Sequence, residues 1–190
     1  MRIHRVVGAV AILALGSMTL PAVANADGGH VRDVRLQDRC DPASFNVAIP
    51  PQPGGPPTCI PHSGQRVTFA QFLAKLNPVD FGHPKWNNHP DMVELREGDS
   101  INVTVRGGEF HTFTEVDMFG AGCIPFINGA LQLGAGPTDA ECGAIFGATG
   151  VLPNGMSTLK VSGLAPGMHK FMCMIHPWMR TVVDVQGDDD

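Results

Sequence analysis

Apolar and polar positions change their period along this chain, and the change divides it. From Met92 onward apolar residues recur at every second position, in residues 157–161, in 168–174 and in the β-branched run 181–185, the pattern of half-buried strands. Residues 94–106 carry two alternating runs around Glu97-Gly98-Asp99, which predicts a hairpin. A second turn at Gly107-Gly108 leads into Phe110-His111-Thr112-Phe113-Thr114, so His111 is expected at the start of a strand. Within 168–174, Phe171 and Cys173 share one face and Lys170 and Met172 the other, with the Cys173 face turned inward. Before residue 90 the pattern reads as loops around one helix. There Phe69, Phe72, Leu73 and Leu76 fall at helical spacing, Thr68 and Gln71 form a capping box, and Asn77-Pro78 ends the helix. The proline-rich run 49–57 suits neither a sheet interior nor a helix. One short helix buries too little apolar surface to fold alone, so this region is expected to pack as a flap on the strand-rich part. Residues 119–153, rich in Gly, Ala and Leu, show no clear period beyond a helical turn at 127–133.

The first 26 residues stand apart. Arg2 and Arg5 precede the apolar stretch 6–15 and the segment closes on Ala24-Asn25-Ala26, which fits an export signal cleaved near Ala26. The stretch is too short and too broken by Gly16, Ser17 and Pro21 to span a bilayer, and no later segment is long enough, so the mature chain is expected to carry no transmembrane segment. The expected division is therefore a signal peptide at 1–26, an extension at 27–90 and a main domain at 91–190, with a periplasmic or extracellular destination.

Charge narrows the partners. The chain carries 13 basic and 18 acidic residues, net −5, and loss of the two arginines in 1–26 takes it to −7. With no basic run, nucleic acid is excluded as a partner. A surface of this sign steers a basic protein instead, with a salt-sensitive association rate. The closing Asp188-Asp189-Asp190 reads as a solvated terminus.

The densest chemistry lies in Cys173-Met174-Ile175-His176-Pro177-Trp178-Met179, where a thiolate, an imidazole and a thioether stand three residues apart. Thiolate and thioether favour soft ions, imidazole suits both copper states, and two His with one Cys and a weak Met is a copper donor set. Zinc gains little from Met179. The loop supplies one imidazole, and His111 is the best candidate for the second. With Cys173 committed as a thiolate, Cys40, Cys59, Cys123 and Cys142 remain, and in an exported chain they are expected to pair. Three connectivities are open. Cys40–Cys59 with Cys123–Cys142 is favoured, because each pair brackets a Gly/Pro-rich loop of about twenty residues, worth roughly 3 kcal/mol in the chain-entropy model.

On these residues the stretch from about Met92 to Val185 resembles a cupredoxin, closest in ligand spacing to the amicyanin and plastocyanin branch. The features that carry the resemblance are the Glu-Gly-Asp turn, the His-Thr-Phe strand, Leu164-Ala165-Pro166-Gly167 before the last strands, and the Cys-x-x-His-x-x-Met loop. The resemblance implies an all-β, Greek-key β-sandwich or barrel with the loop-and-short-helix segment as its N-terminal extension. It implies one type 1 copper, with His111, Cys173 and His176 as strong ligands and Met179 as the long axial ligand. It also implies an electron carrier rather than an enzyme, with the His176 ring edge reaching solvent inside an apolar patch of Ile175, Pro177, Trp178 and Phe119, and a redox protein docking near His176 and Trp178. A monomer is expected. The long segment between His111 and Cys173, and the extension, depart from the small members of that family, so their partner surfaces do not transfer.

A copper-binding or copper-delivery protein without redox turnover is the alternative, favoured if Met172, Met174 or the extension's His30, His62, His83 and His89 bind metal as well. Gly28-Gly29-His30 would chelate Cu(II) only if processing exposed Gly28, whereas the expected cut leaves Asp27 in front. A copper oxidase or nitrite reductase fragment lacks the additional His-rich centres it would need.

Overall fold

The computed structural model describes residues 29–153 and 158–187, so the expected leader and the acidic tail Asp188-Asp189-Asp190 lie outside the described residues. In chain order the elements are β1 (Val31–Gln37), α1 (Pro42–Ala48), α2 (Phe69–Leu73), β2 (Asn87–His89), β3 (Met92–Arg96), β4 (Ser100–Arg106), β5 (His111–Thr112), β6 (Thr114–Val116), α3 (Pro125–Leu131), α4 (Asp139–Thr149), β7 (Gly150–Val151), β8 (Thr158–Ser162), β9 (Gly167–Met172) and β10 (Arg180–Gln186). They pair as two four-stranded sheets, β2-β1-β4-β8 and β3-β10-β9-β6, with β5-β7 as a separate two-stranded piece. Alternation explains the layering. Val34 and Leu36 of β1 and Val103 and Val105 of β4 join Val93 and Leu95 of β3 and Val183 and Val185 of β10 in one buried cluster. The sheets therefore face each other across a shared core as a sandwich, and among the described residues they do not close into a barrel.

Two sequence expectations are corrected. The runs flanking Glu97-Gly98-Asp99 are not a hairpin: β3 pairs in parallel with β10, while β4 pairs with β1 and β8 in the other sheet. The turn is an arch carrying the chain between the two layers. Asp99 holds it, accepting from the backbone N–H of Arg96 at 3.0 Å and of His30 at 2.6 Å, and Gly98 supplies the positive φ of 87°. The region before residue 90 is also more than loops around one helix. It contributes β1, which runs parallel to β4 along its full length, and β2, antiparallel to β1. β1 was hard to read because Arg32, Asp33 and Arg35 break up an alternation that only Val34 and Leu36 turn into the core.

The expected helix is present as α2, with both bonds of the Thr68–Gln71 capping box. A second, α1, is capped by Asp41 and begins at Pro42. Its Phe45 stacks on Trp86 at 5.8 Å and lies 5.5 Å from Phe72, so the extension brings its own aromatic cluster. The unordered segment 119–153 resolves into α3 and α4, the latter capped by Thr138 and Glu141, before β7 returns to pair Val151 with His111. Both favoured disulfides are present, Cys40–Cys59 and Cys123–Cys142, and Cys173 is the one free cysteine among the described residues.

Candidate metal centre

Local structure positions each sulfur and nitrogen. β9 and β10 pair antiparallel up to Met172 and Arg180, so residues 173–179 form the loop that joins them. Within it Cys173 N–H donates to the Met179 carbonyl at 3.0 Å and Met179 N–H to the His176 carbonyl at 2.9 Å, which folds the loop tightly on itself. His111 enters from β5, held beside the loop where Met174 N–H donates to the Thr112 hydroxyl at 2.8 Å.

The result is a converging donor set. Cys173 Sγ lies 3.7 Å from His111 Nδ1 and 3.9 Å from His176 Nδ1. Donors bound to one ion at about 2.0–2.3 Å, with angles between tetrahedral and trigonal, stand roughly 3.3–4.0 Å apart, so this spacing fits a single small ion. All three residues are buried, as is Met179 in the same loop. A soft thiolate with two imidazoles and a nearby thioether suits copper better than the harder divalent ions. Thr112 N–H points at the sulfur from 3.5 Å, a contact that supports a thiolate.

Electrostatics work in the same direction. Burial would raise the Cys173 thiol, but the hydrogen bonds and charge of His111 and His176 outweigh it and hold the thiol well below its ordinary range. Burial likewise opposes a charged His111, yet the Asp38 carboxylate and the Cys173 sulfur push its pKa up to about 10. The pocket thus favours the thiolate, the form that binds metal.

Two residues that the sequence did not single out complete the centre. Asp38 accepts from His111 Nε2 at 2.9 Å and from the N–H groups of Gly108 and Glu109 at 2.9 and 3.2 Å. Burial resists its ionisation, but His111 and those two N–H groups keep it below the usual carboxylate range. This bond fixes which nitrogen of His111 faces the sulfur. Gly107 is required here, since a Cβ on it would collide with the Asp38 carboxylate. Glu109 is the counterpart for the other imidazole, with Oε2 3.8 Å from His176 Nε2 and accepting a short hydrogen bond from Trp86 Nε1. Burial pushes the Glu109 carboxyl up, against the pull of His176. The spacing Gly-Gly-Glu-Phe-His put Glu109 two residues from a ligand candidate, but Asp38 lies 73 residues from His111 and left no local signal.

The expected open edge of His176 is corrected. Its ring is 2 % exposed, covered by Phe72 at 6.0 Å, Trp86 at 6.4 Å and Trp178 at 5.3 Å. Trp178 is itself held down, donating to the Trp86 carbonyl at 3.1 Å and packing on Gly82, where a Cβ would strike its ring. Phe119 instead lies under the Arg180 guanidinium at 4.8 Å. The extension supplies Phe72 and Trp86 of this cover, and the loop itself supplies Trp178.

The remaining histidines are dispersed. His62 Nε2 donates to the Cys40 carbonyl at 2.7 Å beside an oxidised disulfide, His83 packs on Trp86 and caps Lys85 N–H, and His89 sits in β2. Among the described residues no metal-capable group joins any two of His30, His62, His83 and His89. Gly28 lies outside the described residues, and the His30 amide that a Gly-Gly-His chelate would need is bonded to Asp99.

No protein-family model matches the chain, and no curated protein does. Solved structures similar to it include oxidised plastocyanin from Dryopteris crassirhizoma, 17% identical over 55% of this chain and 91% of that one, with a TM-score of 0.35. A purple cupredoxin from Nitrosopumilus maritimus is 17% identical over 58% of this chain and 95% of that one, TM-score 0.37. Pseudoazurin from Methylobacterium extorquens is 17% identical over 84% of this chain and 76% of that one, TM-score 0.34. Overlaps this loose add nothing to what the sheet order and the donor set say by themselves.

Proposed function

We propose that this chain is an exported, monomeric type 1 copper protein that carries electrons, with His111, Cys173 and His176 as the strong ligands and Met179 in the axial place. The observation that carries the reading is the convergence of one buried sulfur and two buried imidazole nitrogens within 3.9 Å of it, each imidazole backed by a carboxylate. Copper held there supplies a one-electron Cu(I)/Cu(II) couple. The protein's part is to keep the donors still: Asp38 fixes His111, the bond from Met179 to His176 fixes the loop, and Thr112 N–H supports the sulfur. Donors that do not move between oxidation states keep the rearrangement on electron transfer small. The leader at 1–26 would take the chain to the periplasm or beyond, where both disulfides persist.

Residues 27–90 act in this reading as the cover of the site, and a redox protein docks over Trp178 and the cover above His176. The same burial weighs against copper delivery, which needs a ligand that a receiving protein can reach. The deciding experiment is the visible absorption and EPR spectrum of the purified mature protein after addition of Cu(II). An intense blue or purple charge-transfer band, lost in Cys173→Ser, is expected. A pale spectrum that ignores Cys173→Ser would sink the electron-carrier reading.

A further inference from the structure

A half-open cavity of about 730 Å³ lies between the proline-rich loop of the extension, α2, α3, α4 and the metal loop. Its walls include Phe45, Phe72, Phe110, Ile127 and Phe146, while Ile49 and Phe126, 36 % and 50 % exposed, stand where it meets solvent. Protein interiors leave few voids larger than a water molecule, and a space walled this way offers water few partners. Small-molecule sites, by contrast, occupy about 300–1,000 Å³ with apolar linings and a few converging polar groups.

The polar groups here converge at one place. Glu109 and His176, 6 % and 2 % exposed, both line the cavity. Glu109 Oε2 is taken by Trp86 Nε1, and among the described residues Oε1 has no hydrogen-bond partner. Thr58, also in the lining, has its hydroxyl committed to the Ile49 carbonyl at 2.7 Å. The lining contains no Lys or Arg to receive an anion.

We propose that this cavity binds a small neutral aromatic molecule carrying a hydroxyl group, its ring between the phenylalanines and its hydroxyl on Glu109 Oε1. Phe110, Phe126 and Phe146, the lining phenylalanines with accessible surface, offer ring faces and edges that favour a flat aromatic over a bulky aliphatic body, with Phe45 and Phe72 buried behind them. A hydroxyl can donate to Glu109 Oε1, which neither a methyl ether nor a carboxylate can do. An anionic ligand would lose hydration against apolar walls with no cationic side chain in the lining to receive it. The site shares His176 with the proposed metal centre but does not depend on a metal.

The test uses equilibrium dialysis of the mature protein, without added metal, against 2-naphthol, 2-methoxynaphthalene and 2-naphthoate. Saturable binding of one 2-naphthol per chain is expected, with the methyl ether and the carboxylate each at least tenfold weaker. Ile49→Trp, which puts an indole into the mouth, and Phe126→Asp, which charges the rim from a half-exposed position, should each weaken 2-naphthol at least tenfold while circular dichroism and Tm remain those of the parent. Two variants at different wall positions guard against one failing to fold. Absence of saturable binding, equal binding of all three probes, or binding unchanged in both folded variants overturns the proposal. Because no copper enters the measurement, a colourless copper-loaded protein would refute the electron-carrier reading and leave this result standing, and the reverse also holds.

Discussion

Each imidazole of the proposed copper site leans on one carboxylate, and the two carboxylates play different parts. Asp38 sits at hydrogen-bond distance from His111 Nε2 and is itself tied to two backbone N–H groups, so it orients a ligand. Asp38→Asn can present its amide the wrong way round and loses the charge, and copper affinity should fall about 10–100-fold, read by competition with a chelator of known affinity. Glu109 lies farther from its imidazole and acts through charge. In Glu109→Gln the reduction potential should rise, because a negative group stabilises Cu(II) over Cu(I); an effective dielectric near 20 puts the change on the order of 50–100 mV by voltammetry. An unchanged potential would mean that Glu109 is neutral in the folded protein. The His-Cys-His-Met cluster proposed to hold copper is legible in the sequence because its four members fall within one strand start and one seven-residue loop. Asp38 was not, because its meaning depends on β1 lying parallel to β4, a pairing between segments far apart in the chain.

At the scale of elements, side chains that look unrelated in sequence hold the layers together. Phe45 of α1 is fully buried against Phe69, Phe72 and Trp86, so Phe45→Ala should cost about 3–5 kcal/mol in chemical denaturation. On the opposite edge β9 and β6 are joined by His169, whose Nδ1 lies 2.6 Å from Glu115 Oε1. That hydrogen bond, and one to the Ala165 carbonyl, raise the His169 pKa above its ordinary value. A His with a raised folded pKa adds stability that is fully present below its unfolded pKa, near 6.5, and is lost as pH rises through the folded value. In Glu115→Gln the NMR-measured His169 pKa should drop back, and the stability difference from the parent should shrink as pH is raised. The period-two run that forms β10 is legible because one face of it, Thr181, Val183 and Val185, is buried, while at the end of β9 both faces are buried, Phe171 on one and Met172 on the other. The arch at residues 97–99 was misread because alternation reports which face is buried, not which sheet a strand joins, and α4 went unnoticed although Thr138 and Glu141 spell a capping box.

For the whole molecule the decisive feature is that the N-terminal segment is both part of a sheet and part of the layer packed over His176. It gives β1 and β2 to one sheet, Asp38 to a ligand, and Phe72 and Trp86 to the lid over His176. The lid is pinned at Gly82, whose φ of 104° and lack of a side chain let the Trp178 indole lie against the backbone. Gly82→Ala introduces both a strained φ and a clash with that indole, so it should lower Tm and displace Trp178 outward. If the cover sets the distance an electron must cross, copper-loaded Gly82→Ala should be reduced several-fold faster by a small inorganic reductant in stopped flow. The same variant should react with a basic redox protein no faster than the parent, and with the same decline as salt is raised, because that encounter is steered by the net charge, which the substitution leaves at −5 for the full chain. A lowered Tm with an unchanged small-reductant rate would show that electrons reach copper by another face, leaving the lid a purely structural role.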